Sequence, residues 1–91
     1  DMSSDIFSRQ INVADFDIIY AGAQKNLGPA GATIFIVKDE ILGKSSVNIP
    51  TYLDLQTHID NTSMFNTPPV FSVYVSMLNL RWLKKNFQIL M

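Results

Sequence analysis

Lys25 is the side chain best placed for covalent chemistry. It follows the apolar run Asp17-Ile18-Ile19-Tyr20-Ala21 and Gly22, and it precedes the turn-forming string Asn26-Leu27-Gly28-Pro29-Ala30-Gly31. An amine attacks a carbonyl only as the free base, a form favoured by desolvation or a neighbouring positive charge. The end of a buried strand offers the first condition, although a lysine reaching from a turn into solvent has the same spacing. Asp1, Asp5, Asp15 and Asp17 are candidate carboxylates, and spacing alone pairs none of them with Lys25.

Other chemistries find little support. There are no cysteines, so neither a disulfide framework nor a zinc ribbon can form, and no metal site is expected. Gly22, Gly28 and Gly31 match neither the dinucleotide fingerprint nor the phosphate loop. His58, the only histidine, falls in a polar stretch and reads as a surface loop residue. Asn61-Thr62-Ser63 has the form of a glycosylation acceptor but reads as a polar loop.

The elements that must position Lys25 are short. Asp17–Ala21 reads as a buried strand, and Ala32–Val37, a continuous apolar run, as a second strand in a sheet covered on both faces. Lys38–Gly43 reads as a helical turn with a glycine stop, and the stretch up to Asn66 as loop. Thr67-Pro68-Pro69 predicts a helix start, with Thr67 as N-cap, Pro68 at the first helical position, and a helix running to about Lys85. Val70, Val73, Tyr74, Met77, Leu78 and Trp82 follow the i, i+3, i+4 spacing of a core-facing stripe. The apolar tail from Asn86 to Met91 has no later residues to cover it, which suggests that sequence is missing or disordered.

Composition sets outer bounds. Apolar types make up 47% of the 91 residues, which fits one small globular unit. Seven basic and eight acidic residues give a net charge of −1 without a basic stripe, so a nucleic-acid partner is not expected. No apolar run approaches the ~20 residues needed to span a bilayer, and no leader pattern stands at Asp1, so no membrane association and a cytoplasmic location are expected.

Three segments carry a resemblance. Tyr20-Ala21-Gly22-Ala23-Gln24-Lys25-Asn26-Leu27-Gly28-Pro29-Ala30-Gly31 closely resembles the cofactor-lysine segment of phosphoserine aminotransferases. These belong to the class-V, fold-type-I pyridoxal-phosphate enzymes. Asp1-Met2-Ser3-Ser4-Asp5-Ile6-Phe7-Ser8-Arg9 looks like the family's upstream D-x-S-S segment, and Ser63-Met64-Phe65-Asn66-Thr67-Pro68-Pro69 like its downstream S-M-x-N-T-P-P segment. Their order and separation match, and the similarity runs to about Lys85. Gln10 and Asn12 depart from the family's usual proline and aspartate, and the tail after Lys85 lacks its Gly-Gly turn.

The resemblance implies an α/β fold, part of the large domain of the aspartate-aminotransferase-like fold, with a mostly parallel sheet and flanking helices. The 91 residues would be a central fragment of that domain: a strand and lysine segment over 1–37, a loop over 38–66, and the long helix. Lys25 would form the Schiff base with pyridoxal 5'-phosphate, Asp1 would face the pyridine nitrogen, and Gln24 would contact the cofactor. Asn66 and Thr67 would reach the cofactor phosphate of the neighbouring subunit in a homodimer. The implied reaction moves an amino group between glutamate and 3-phosphohydroxypyruvate in serine biosynthesis, with phosphohydroxythreonine of vitamin B6 synthesis as a related small-molecule substrate. Arg9 and Arg81 match none of the family's substrate arginines, so the fragment alone should be inactive. Two alternatives stay open: a non-catalytic interaction module or remnant of the same fold, and another fold-type-I enzyme.

Overall fold

Two five-residue strands, β1 (Ile18–Gly22) and β2 (Thr33–Val37), pair antiparallel, with Ile18 opposite Val37 and Gly22 opposite Thr33. The parallel arrangement expected around Lys25 is not what this pair adopts. Only residues 23–32 join the strands, and a parallel crossover needs about a dozen residues or more. The pleat sends Ile19 and Ala21 to one face, where they are buried, and Ile18 and Tyr20 to the other. On that second face Tyr20 stacks on its cross-strand partner Phe35 with ring centroids 6.0 Å apart, and both rings stay exposed. The expected cover on both faces is therefore present on one face only among the described residues.

The computed structural model describes residues 1–87, so the end of the apolar tail lies outside the described residues. Two units emerge from its internal contacts. The first joins residues 1–37 to the segment from Pro69 onward; the second is residues 38–68. The core of the first unit is Ile6, Ala21, Ala23 and Leu27, with Met2, Phe7, Ala32, Ile34 and Leu80 packed around it.

The long helix, α2, spans Val70–Asn86, three residues later than the Thr67 start expected from sequence. Pro68 is the reason. It precedes another proline, and the residue before a proline is pushed out of the helical region by the following ring. Pro69 becomes the N-cap, with no side-chain cap bond, and Thr67 is not a capping residue. In the second unit the turn expected over Lys38–Gly43 forms: Asp39–Ile41 is a 3-10 turn and Gly43 takes a left-handed φ of 70° after it. The stretch that follows, read as loop, departs from expectation, since Thr51–Leu53 forms a 3-10 turn and a six-residue helix, α1, spans Leu55–Asp60. Asp54 caps α1 by accepting from the Gln56 N–H at 3.0 Å. His58 sits on this helix rather than in a loop; its Nε2 lies 2.7 Å from the Tyr52 carbonyl, and its ring meets Tyr52 and Phe65 edge-on.

Candidate active site

The turn that carries Lys25 is built on one carbonyl. Ala23 C=O accepts from both Leu27 N–H at 3.1 Å and Gly28 N–H at 2.8 Å, while Ala23 N–H donates to Ala32 C=O at 2.9 Å. This single helical turn puts Ala23 and Leu27, four residues apart, on the buried side. Gln24, Lys25 and Asn26 are left on the outside, and all three are exposed. The desolvation that the strand-end position suggested is thus not supplied by the described residues.

The chain start lies along the same end of β1. Met2 N–H donates to Tyr20 C=O at 2.8 Å, Ile6 enters the core, and the Asn26 amide donates to Ile6 C=O. Phe7 turns this segment with a left-handed φ of 63°, a conformation that costs a bulky residue about 1–2 kcal/mol. In return its ring packs against the core beside Ile6. Two adjacent serines then hold the two candidate chemical groups. Ser3 Oγ accepts from Gly22 N–H at 2.8 Å and donates to Asp1 Oδ1 at 2.7 Å, with Ser3 N–H reaching the same oxygen at 2.8 Å. Lys25 Nζ donates to Ser4 Oγ at 2.9 Å. A carboxylate and a primary amine are so brought to neighbouring positions of one loop, both open to solvent. Gln24 folds its amide over Gly22, filling the space that a side chain at position 22 would occupy.

Behind the turn stands α2. Ser72 Oγ donates to Ala30 C=O at 2.6 Å, and the Asn79 amide donates to Leu27 C=O at 2.7 Å and more weakly to Asn26 C=O at 3.4 Å. Ser76 lies against Gly28, where a Cβ would stand 2.6 Å from its Oγ. That hydroxyl is buried and finds no hydrogen-bond partner among the described residues. Gly31 needs its own lack of a side chain, since its φ is 114°.

Of the residues singled out from sequence, Asp1, Gln24 and Lys25 come together in the first unit. Asn66 and Thr67 are exposed residues of the second unit, ahead of α2 rather than at its first turn. Ser3, Ser4, Ser72, Ser76 and Asn79 were not singled out. The first two lie in a segment whose pattern was visible, and the other three carry no signal that a hydrophobic periodicity could detect.

Comparison with known proteins decides the lineage. The family described as aminotransferase class-V matches residues 1–90. The chain belongs to the class-V aminotransferases. Within that family, the phosphoserine aminotransferase of Flavobacterium psychrophilum is 63% identical over 84 residues, which are 92% of this chain and 24% of that protein. A phosphoserine aminotransferase solved in work on radiation damage of its Schiff base superposes with a TM-score of 0.85 at 52% identity, over 93% of this chain and 24% of that one. The PLP-bound phosphoserine aminotransferase of Trichomonas vaginalis gives 0.82 at 32% identity, over 92% of this chain and 24% of that one. The fold is thus that of the aminotransferases, and this class-V chain spans about a quarter of the length of the relatives it matches. Among the described residues no cluster of metal-ligating side chains occurs, and no helix is long and apolar enough to cross a membrane.

Proposed function

We propose that this class-V aminotransferase chain is the cofactor-lysine segment of a phosphoserine aminotransferase. The whole enzyme would transfer an amino group between glutamate and 3-phosphohydroxypyruvate, serving serine biosynthesis in the cytoplasm. Phosphohydroxythreonine, a related substrate of pyridoxine synthesis, suits the same chemistry. The observation that carries this reading is the Ser3-Ser4 pair, which holds the Asp1 carboxylate on one side and the Lys25 amine on the other.

The donor set fits pyridoxal 5'-phosphate. When bound, that group supplies an aldehyde with which an amine condenses and a protonated ring that draws electrons from a substrate's Cα. Lys25 is the exposed primary amine at this site, and Ser4 Oγ holds its nitrogen when it is not engaged. Once released, that nitrogen would take the proton from the substrate's Cα and return it to the carbon on the far side of the substrate's nitrogen. Asp1 keeps a fixed negative charge where it favours a proton on a ring nitrogen, and Ser3 orients that carboxylate through two hydrogen bonds. Gln24 lies across Gly22 and offers its amide on the exposed side of the turn.

Further roles follow from the same reading. Asn66 and Thr67 would reach the cofactor phosphate of the neighbouring subunit in a homodimer, so each site would be completed by its partner. Arg9 is engaged with Asp5 at 3.9 Å and Arg81 lies on α2, so the grip on the substrate's carboxylate and phosphate is assigned to residues beyond these 91. Exposed Tyr20, Phe35, Tyr74, Leu78 and Trp82 are the surfaces such residues would cover.

Borohydride reduction followed by mass analysis tests the assignment. The full-length enzyme carrying this segment should retain the cofactor on the peptide containing Lys25, and Lys25→Ala should lose both the label and transaminase activity. The isolated 91 residues should show neither. A label that survives Lys25→Ala, or one found on another lysine, would overturn it.

A further inference from the structure

We infer that Asn79, on α2, is a positioning residue for Lys25: its clamp on the backbone just after the lysine sets the direction in which the amine projects. This rests on the proposed role of Lys25 as the cofactor anchor.

The turn is held toward the core by Ala23 C=O and the buried Leu27, and among the described residues no backbone N–H of the turn donates to the carbonyls of Asn26 and Leu27. Both receive the Asn79 amide, Leu27 at 2.7 Å and Asn26 at 3.4 Å. These carbonyls belong to the two residues immediately following Lys25. Rotation of either peptide would swing the lysine, and a side chain fifty residues away in sequence opposes that rotation.

The rest of the α2 face reinforces the clamp. Ser72 bonds Ala30 C=O, and Ser72 and Ser76 are both buried against the turn. Ser76 contributes in a different way. Its hydroxyl is buried without a partner among the described residues, a net cost, and it occupies the space against Gly28 where a Cβ would come within 2.6 Å of Oγ. The helix therefore touches the turn at Gly28 with no slack, and the approach depends on both residues being small. Asn79 can reach the carbonyls only because that approach is so close. Helix and turn are joined at Ala30, Gly28, Leu27 and Asn26, with Lys25 on the exposed side.

The proposal concerns the rate at which the Lys25 amine condenses with the cofactor aldehyde. In that step a C=N bond replaces C=O, and the aldehyde oxygen leaves as water with two hydrogens of the amine. The apo form of the full-length enzyme is mixed with pyridoxal phosphate and sampled with borohydride over time. Asn79→Ala should attach the cofactor about five- to tenfold more slowly, the effect of losing one or two bonds to backbone carbonyls. It should also move the pH profile of the bound cofactor's absorbance, which a purely structural weakening elsewhere would leave in place.

Gly28→Ala supplies an independent arm, because it separates helix from turn without touching Asn79. It should slow attachment by a similar factor, and Gly28→Ala/Ser76→Ala, which removes the hydroxyl but leaves the Ser76 backbone nitrogen 3.3 Å from the added Cβ, should restore part of the rate. Attachment by Asn79→Ala at the wild-type rate, with an unchanged pH profile, would overturn the inference while leaving the cofactor reading intact. Failure of the double variant to recover would also count against it. If the wild-type enzyme carries no cofactor on Lys25, the functional reading falls and the inference falls with it.

Discussion

The two faces of α2 make opposite uses of similar space. One presents Ser72, Ser76 and Asn79 to the Lys25 turn and is the buried face. The other presents Val70, Val73, Tyr74, Leu78 and Trp82, all of them exposed. At about 3.6 residues per turn the two sets lie on opposite sides of the helix. Apolar spacing therefore marked the face that wants a partner, while small polar residues made the contact that already exists. Small side chains let backbones approach, and the approach is stabilised by hydrogen bonds to carbonyls that the turn cannot satisfy by itself.

Substitutions on each face would sharpen or break this contrast. The largest effect is expected on the apolar side, from Trp82→Ala in the full-length enzyme. If residues beyond these 91 cover that face, the change should cost about 3 kcal/mol of unfolding free energy in denaturant titration. A loss below about 0.5 kcal/mol would mean the face meets solvent there as well. On the polar side, Gly28→Ala should cost about 1–3 kcal/mol by overpacking against Ser76, read in the same titration. Ser72→Ala comes next, at about 1 kcal/mol, because Ala30 C=O loses its donor; hydrogen exchange along residues 26–31 should rise with it. Smallest is Ser76→Ala, expected to be neutral or slightly stabilising, since it removes a buried hydroxyl that has no partner among the described residues. A clear loss of stability there would show that the hydroxyl has a partner in the complete enzyme.

Much of the local structure was legible in the residues. The strands fall within one position of the apolar runs that predicted them, because Gly22 and the turn residues up to Gly31 bound those runs. Their antiparallel pairing is legible in the shortness of residues 23–32, whereas the parallel sheet implied by the family resemblance describes the larger domain. The helix start was misread because Thr67-Pro68 looks like a cap followed by a first-turn proline, and the second proline moves the start onward. Helix α1 escaped notice since six residues carry too little periodicity, and its best signal was the single cap Asp54.

The site divides in the same manner. Lys25 stood out by position, whereas Asp1 and Gln24 came from the resemblance, since nothing in their spacing ties them to an amine. The serines that connect Asp1 and Lys25 were on view within D-x-S-S, but a hydroxyl's role depends on which backbone groups fold against it. Ser72, Ser76 and Asn79 lie more than forty residues from the turn they hold, and no local pattern reports a contact of that span.

The doubly used carbonyl of Ala23 has a consequence for the chain as a ruler. Leu27 and Gly28 both measure their distance from it, so the number of residues between Ala23 and Gly28 is set by hydrogen bonds at two successive positions. One inserted residue would carry Leu27 out of the core and turn the lysine away from Ser4. Length is held in this segment as strictly as the identities of Lys25, Leu27 and Gly28, so a deletion scan would report a constraint that an alanine scan passes over.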